Sequence, residues 1–170
     1  MGMELKIPEN FFVGAAMSGP QTEGAYKTGG RLESICDTWS DLSISDFYNK
    51  VGSYVGNNFY EKYEDDIKLL KSLHMDSFRT SMQWSRLLTK DGKLNQEGAQ
   101  FYHKVCKCAK ENQIELFMNL YHFDMPTYLF ERGGWESRDV VEAYAAYARA
   151  AFREFGSEIR YWFTFNEPIV

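Results

Sequence analysis

The sequence predicts an α/β protein with a parallel sheet: a (β/α) barrel of the TIM type, of which this chain supplies about the first four βα units. Three observations lead there. Short apolar runs alternate with helical patterns, starting and ending on a strand, and such alternation gives parallel strands joined by right-handed crossovers. Each run delivers polar residues at or just beyond its carboxyl end, where barrels place their chemistry. The first run is not followed by a Gly-x-Gly-x-x-Gly turn, since Gly14, Gly19 and Gly24 lack that spacing. That argues against the doubly wound, dinucleotide-binding alternative.

Phe11–Ala16 reads as the first strand. Residues 17–58 show no clear periodicity and many Gly, Ser, Asn and Asp, so a long irregular excursion is expected, of the kind that is usually functional. Tyr63, Ile67, Leu70 and Leu73/His74 mark one face of a helix capped near Asn57 or Asn58. Ser77–Met82 is the second strand. Asn95 caps a helix with Ala99, Tyr102, Val105/Cys106 and Ala109 inward, and Glu115–Tyr121 is the third strand. Ser137 caps a helix whose apolar stripe is read as Val141, Tyr144/Ala145, Ala148, Phe152 and Phe155, with Gly156 ending it. Tyr161–Phe165, a run rich in aromatics, reads as a buried fourth strand, stopped by Pro168. A complete barrel needs eight such units and about 250 residues. Residues 1–170 are therefore expected to form a single domain, the N-terminal half of one.

Composition narrows the function. With 44% apolar and 25% charged residues the chain is ordinary for a globular protein, and its net charge of −5 gives no support to binding nucleic acid or anionic membranes. No run approaches the ~20 apolar residues of a membrane span, and Met1–Pro8 holds no hydrophobic signal core. Three cysteines, Cys36, Cys106 and Cys108, an odd count, suggest reduced thiols and a cytoplasmic location. His74, His103 and His122 show no metal-ligand spacing, so neither metal nor cofactor is expected.

Glu167 is the sharpest catalytic candidate. Aromatic neighbours would desolvate it, raise its pKa and let it donate a proton to a leaving-group oxygen, as the acid does in glycoside hydrolysis. Its structural alternative is a pair with Arg79 or a loop cap. Asn166 can hydrogen-bond a sugar hydroxyl or simply turn the strand end. Arg79, inside a strand, needs an anion, either Glu167 or a carboxylate outside this chain. His122 can contact a ligand hydroxyl or be a satisfied core histidine, and Trp135 can stack on a sugar or pack. Hydrolysis needs a second carboxylate; Glu23, Asp37 and Asp124 are available, but none has the setting of Glu167.

Four stretches then resemble glycoside hydrolase family 1, the β-glycosidases. They are Phe11–Ala25, the block Asp66-Ile67 with Phe78–Arg86, Leu120–Pro126 with Gly133-Gly134-Trp135, and Thr164–Pro168. The resemblance implies a (β/α)8 barrel and a retaining double displacement, with Glu167 as general acid/base. Gln21, His122 and Asn166 would hold hydroxyls of a sugar, and Arg79 would lie against the nucleophilic glutamate. That nucleophile belongs to a Glu-Asn-Gly motif on the family's seventh strand, which is not found in these 170 residues. The sequence departs from the family signature at Val13 and Pro20; Ser18-Gly19-Pro20-Gln21 resembles bacterial 6-phospho-β-glucosidases. The expected ligand is a β-glycoside, 6-phosphorylated, with unphosphorylated β-glucosides or β-galactosides as the alternative. The isolated chain is expected to be inactive and to self-associate through its open sheet edge unless a C-terminal half covers it. A half-barrel that dimerises or binds sugar without catalysis is the alternative of another class.

Overall fold

The computed structural model describes residues 6–42 and 47–169. The N-terminal Met1–Leu5, read above for a signal core, and residues 43–46 of the excursion lie outside them. Four parallel strands, β1 (Gly14–Ala16), β2 (Ser77–Ser81), β3 (Glu115–Tyr121) and β4 (Tyr161–Phe165), pair in the order β1-β2-β3-β4. Every crossover moves to the next position on the same side. With right-handed crossovers this puts all helices on one face, the arrangement of a barrel wall rather than of a doubly wound sheet.

The register assigns the two faces. Ala16, Arg79, Phe117 and Tyr161 share one rung, and Thr80, Met118 and Trp162 another. Phe78, Leu116, Met118 and Leu120 point to the helices and are buried with Ile67, Tyr102, Val105, Tyr147 and Phe155 in one core. Arg79, Asn119, Tyr121 and Phe163 therefore face the other way, towards what would be the barrel interior.

Helix α3 (Phe59–Ser72) starts at Asn58 and buries Phe59 and Ile67; Leu73, assigned above to its inner face, is exposed, because the helix ends at Ser72 and His74 adopts a left-handed turn. Helix α5 (Gln96–Glu111) buries the predicted Ala99, Tyr102, Val105, Cys106 and Ala109, and Phe101 and Cys108 as well. The stripe of α7 (Arg138–Phe155) is rotated from its expected position. Val140, Tyr147, Ala151 and Phe155 are buried, whereas Phe152 is 42% exposed. An Ala-rich helix offers several weakly apolar stripes, and the choice falls to Tyr147. Its hydroxyl donates to the carbonyls of Met82 (2.7 Å) and Leu120 (3.0 Å), and its ring stacks on Trp84 at 5.3 Å.

Other expectations need correction. Asn58, Asn95 and Ser137 occupy cap positions but make no side-chain cap bond. Asn95 instead donates to the carbonyls of Gly29 (2.6 Å) and Arg86 (2.9 Å), tying the excursion to α5. The first strand is shorter than Phe11–Ala16, since Val13 donates to the Asp76 carboxylate rather than to a strand. The fourth strand is only half-buried, because it is a sheet edge with one neighbour. Among its described residues the excursion contains α1 (Gly19–Thr22), α2 (Ile35–Leu42) and a 3-10 turn (Tyr48–Lys50), and the short helices α4 (Trp84–Leu87) and α6 (Thr127–Phe130) follow β2 and β3. Among the described residues, no helix is long and apolar enough to cross a membrane.

Candidate active site

The carboxyl ends of the strands open onto one cavity of about 800 Å³, and Gln21, Arg79, His122, Asn166 and Glu167 all line it. Each is delivered by a local device. After β1, Gly19 donates its N–H to the Ser81 hydroxyl at 2.7 Å, and a Cβ there would come within 2.6 Å of Gln83, so only glycine lets the chain approach β2 this closely. Pro20 presets the helical turn of α1, and the Ser18 hydroxyl donates to Gln21 Oε1 at 2.7 Å. Arg79 comes from β2 itself. His122 follows β3 and its backbone N–H donates to Asp124 Oδ1 at 3.1 Å. Asn166 continues the ladder beyond β4 through its N–H to the Tyr121 carbonyl at 2.9 Å. The chain then turns sharply: Glu167 has φ 47, a left-handed conformation that costs about 1–3 kcal/mol in a residue with a Cβ.

The charge of Arg79 led us to expect one of two anions, Glu167 or a carboxylate outside this chain; among the described residues Arg79 is not paired with Glu167. Its Nη2 donates to Asn166 Oδ1 at 2.8 Å, and the guanidinium lies 5.2 Å over the Phe163 ring. The aromatic residues before Glu167 do not cover it either, because Phe163 and Phe165 fall on alternate rungs below it and Glu167 itself is exposed. Burial is the main influence on His122 and, with the positive charge of Arg79, lowers its pKa; Glu167 works in the opposite direction. The imidazole is thus neutral at neutral pH.

The three other carboxylates are committed elsewhere, and none lines the cavity. Glu23 is buried and accepts from Arg86 Nε (2.7 Å), Gln83 Nε2 (2.7 Å) and the Tyr102 hydroxyl (2.8 Å). Asp37 is paired with Arg31 at 2.8 Å, both buried. Asp124 accepts the Trp84 N–H at 2.6 Å as well as that of His122, and burial pushes its carboxyl up to about 7. Trp135 also stays out of the cavity; its indole donates to the Tyr121 hydroxyl at 3.3 Å and packs on Tyr144 and Phe165. Among the described residues, no group of three or more His, Cys, Asp or Glu is placed to hold a metal ion.

Several lining residues escaped the reading of the sequence. The far wall is apolar and aromatic: Ile35, Trp39 and Leu42 of α2, with Phe123 and Phe130. Their signal was the helical spacing of Ile35, Trp39 and Leu42 inside a stretch taken as irregular. Asn119, fully buried on the inner face of β3, was also missed; its signal was an amide inside the run Glu115–Tyr121.

Residues 3–170 match the model of glycosyl hydrolase family 1. The chain belongs to that family. It is 42% identical over 168 residues to the 6-phospho-beta-glucosidase GmuD of Bacillus subtilis, which covers 98% of this chain and 36% of that protein. It is 39% identical over 166 residues to beta-glucosidase 9 of Arabidopsis thaliana, covering 96% of this chain and 32% of the relative. The crystal structure of a family 1 beta-glucosidase from Exiguobacterium antarcticum matches with a TM-score of 0.91 at 36% identity, over 96% of this chain and 37% of that one. The chain therefore spans about a third of the length of the relatives it matches, and its sheet is part of a TIM-type barrel.

Proposed function

We propose that these 170 residues, as one domain, carry the acid/base side of a retaining β-glycosidase site. Glu167 acts as general acid, then general base, at the glycosidic oxygen. Gln21, His122 and Asn166 hold hydroxyls of the sugar, and Arg79 orders Asn166 and adds positive charge beside the place of the nucleophile. The single observation that carries this reading is the convergence of these five residues, from four strand ends, on one 800 Å³ cavity. The exposure of Glu167 is compatible with the role, because a sugar seated in the cavity would supply the desolvation that raises its pKa.

The substrate we propose is a β-glucoside carrying a 6-phosphate. Its support is the name of the Bacillus subtilis relative and the Ser18-Gly19-Pro20-Gln21 variant, whose Pro20 lines the cavity. A sugar phosphorylated on import would be met in the cytoplasm, where we place the protein. The 170 residues alone, lacking a nucleophile at the second carboxylate position, should form no glycosyl-enzyme.

The test is a chimera in which residues 1–170 replace the matching segment of the Bacillus subtilis relative, assayed on aryl 6-phospho-β-glucosides beside the isolated chain. The chimera should turn over and the isolated chain should not. Glu167→Gln in the chimera should lower kcat by about 10²–10⁴-fold for poor leaving groups, the usual worth of general acid catalysis, and far less for good ones. Turnover by the isolated chain, or an indifferent Glu167→Gln, would refute the assignment.

A further inference from the structure

Three polar side chains of the cavity wall, Gln21, His122 and Asn166, share a feature that their identities do not reveal: each has an acceptor atom facing a donor of the protein. Arg79 has only donors to offer, so the atom of Asn166 that meets its Nη2 at 2.8 Å must be Oδ1. That turns the Asn166 NH2 group away from Arg79. Behind the wall, Asn119 is fully buried on β3. Its Nδ2 donates to the Tyr121 carbonyl at 2.9 Å and lies 3.5 Å from His122 Nδ1. A carbonyl oxygen can only accept, so the reverse orientation would set two acceptors against each other. The amide keeps this orientation although its Oδ1 finds no partner among the described residues. The Tyr121 carbonyl also accepts the Asn166 backbone N–H at 2.9 Å, so one oxygen fixes both amide residues.

We propose that Asn119 is a positioning residue that holds neutral His122 in its Nε2–H tautomer. Its Nδ2 lies 3.5 Å from Nδ1 and can only donate, so Nδ1 is the ring nitrogen that carries the lone pair. The outer nitrogen, Nε2, becomes a donor. With the Asn166 NH2 group, and with Gln21, whose Oε1 is engaged by Ser18, this wall offers the cavity N–H groups. A ligand oxygen meets N–H donors there, with Nε2–H of His122 among them. This deepens the glycosidase reading and rests on it only for the nature of the ligand; the tautomer itself does not.

The tautomer is read directly from long-range proton–nitrogen correlation spectra of the nitrogen-15-labelled chain at about pH 8, where the imidazole is neutral. The chain has three histidines, so His74→Gln and His103→Gln assign His122 by elimination. The expected result is a single Nε2–H form. Asn119→Asp, which faces Nδ1 with an acceptor, should shift His122 to the Nδ1–H form, and Asn119→Leu should leave a mixture. A wild-type spectrum with Nδ1–H or mixed forms overturns the proposal without any variant having to fold. A purely structural Asn119 would change stability and leave the tautomer alone. Failure of the glycosidase reading would show in the chimera assay and not in this spectrum.

Discussion

Glu23 and Arg86 form a fully buried ion pair, and its cost can be worked out. Both side chains are essentially without solvent contact, at 2% and 0% exposure, with 2.7 Å between Oε2 and Nε. Burial works to lower the pKa of Arg86, but Glu23 and its neighbours outweigh it and the net shift is upward. Arg86→Met leaves Glu23 as a buried charge without its cation. Removing one partner of such a pair costs about 3–5 kcal/mol. Glu23→Gln strands the cation in the same way; its one oxygen can serve Tyr102 while its NH2 group faces the donors of Gln83 and Arg86, and it should cost about 3–5 kcal/mol. The double variant holds no unpaired charge. It loses the hydrogen bonds to Arg86 and should cost only about 3 kcal/mol in all, well below the sum of the two singles, which leaves a coupling of at least about 3 kcal/mol in the double-mutant cycle. Against a total stability of about 5–15 kcal/mol the single variants should be visibly weakened. Urea titrations followed by circular dichroism measure all four corners of the cycle. If the two single costs sum to the double within about 0.5 kcal/mol, the sites are independent, and the account of this pair as one buried unit is wrong.

Tyr147→Phe removes the hydroxyl that serves the Met82 and Leu120 carbonyls without opening a cavity; it should cost about 1–3 kcal/mol, and a midpoint unchanged in urea would rule out that role. Burial raises the carboxyl of Asp124 to about 7, so its contribution to stability is intact below its unfolded pKa of ~3.9 and is lost as the pH rises towards 7. Stability measured across that window should fall with pH, and Asp124→Asn should flatten the slope. His103 is bridged by Glu158 at 2.6 Å and Glu154 at 3.0 Å. Burial, the largest single influence, lowers its pKa, but the two glutamates prevail and the net shift is upward. Its contribution is therefore present below the unfolded pKa near 6.5 and lost as the pH passes its folded value; His103→Gln should remove that loss, and an identical pH profile would count against the bridge. The 170-residue chain should self-associate, because β1 and β4 both leave a free edge and Phe12 and Phe163 are 42% and 43% exposed on the inner face. A monomer at every concentration in size-exclusion chromatography with light scattering would contradict this.

The layout of the fold was legible because it is written locally. Each βα unit announces itself by a change of hydrophobic period, and Asn166-Glu167-Pro168 marks its strand end by chemistry alone. What stayed hidden depends on residues far apart in the chain. Glu23 and Arg86 are 63 positions apart, and nothing around Glu23 distinguishes a buried structural carboxylate from a catalytic one. The contact of Arg79 within this chain was hidden for the same reason, since its charge suggests Glu167 while the geometry of β2 and the end of β4 supplies an amide oxygen 87 positions away. The stripe of α7 was misread because alanines carry little information on direction, and Tyr147 reveals its role only through the two strand carbonyls it serves.

The sequential strand order also sorts side chains by size. On the inner face β1 contributes Gly14 and Ala16 and β2 contributes Ser77, Arg79 and Ser81, while β3 brings Phe117, Asn119 and Tyr121 and β4 brings Tyr161, Phe163 and Phe165. Apart from Arg79, the small side chains lie on the first two strands and the aromatic rings on the last two, where Phe117 stacks on Tyr161 at 4.6 Å. The stiff ring-on-ring packing of the inner face is therefore confined to the β3–β4 side, the side from which Asn166 and Glu167 emerge.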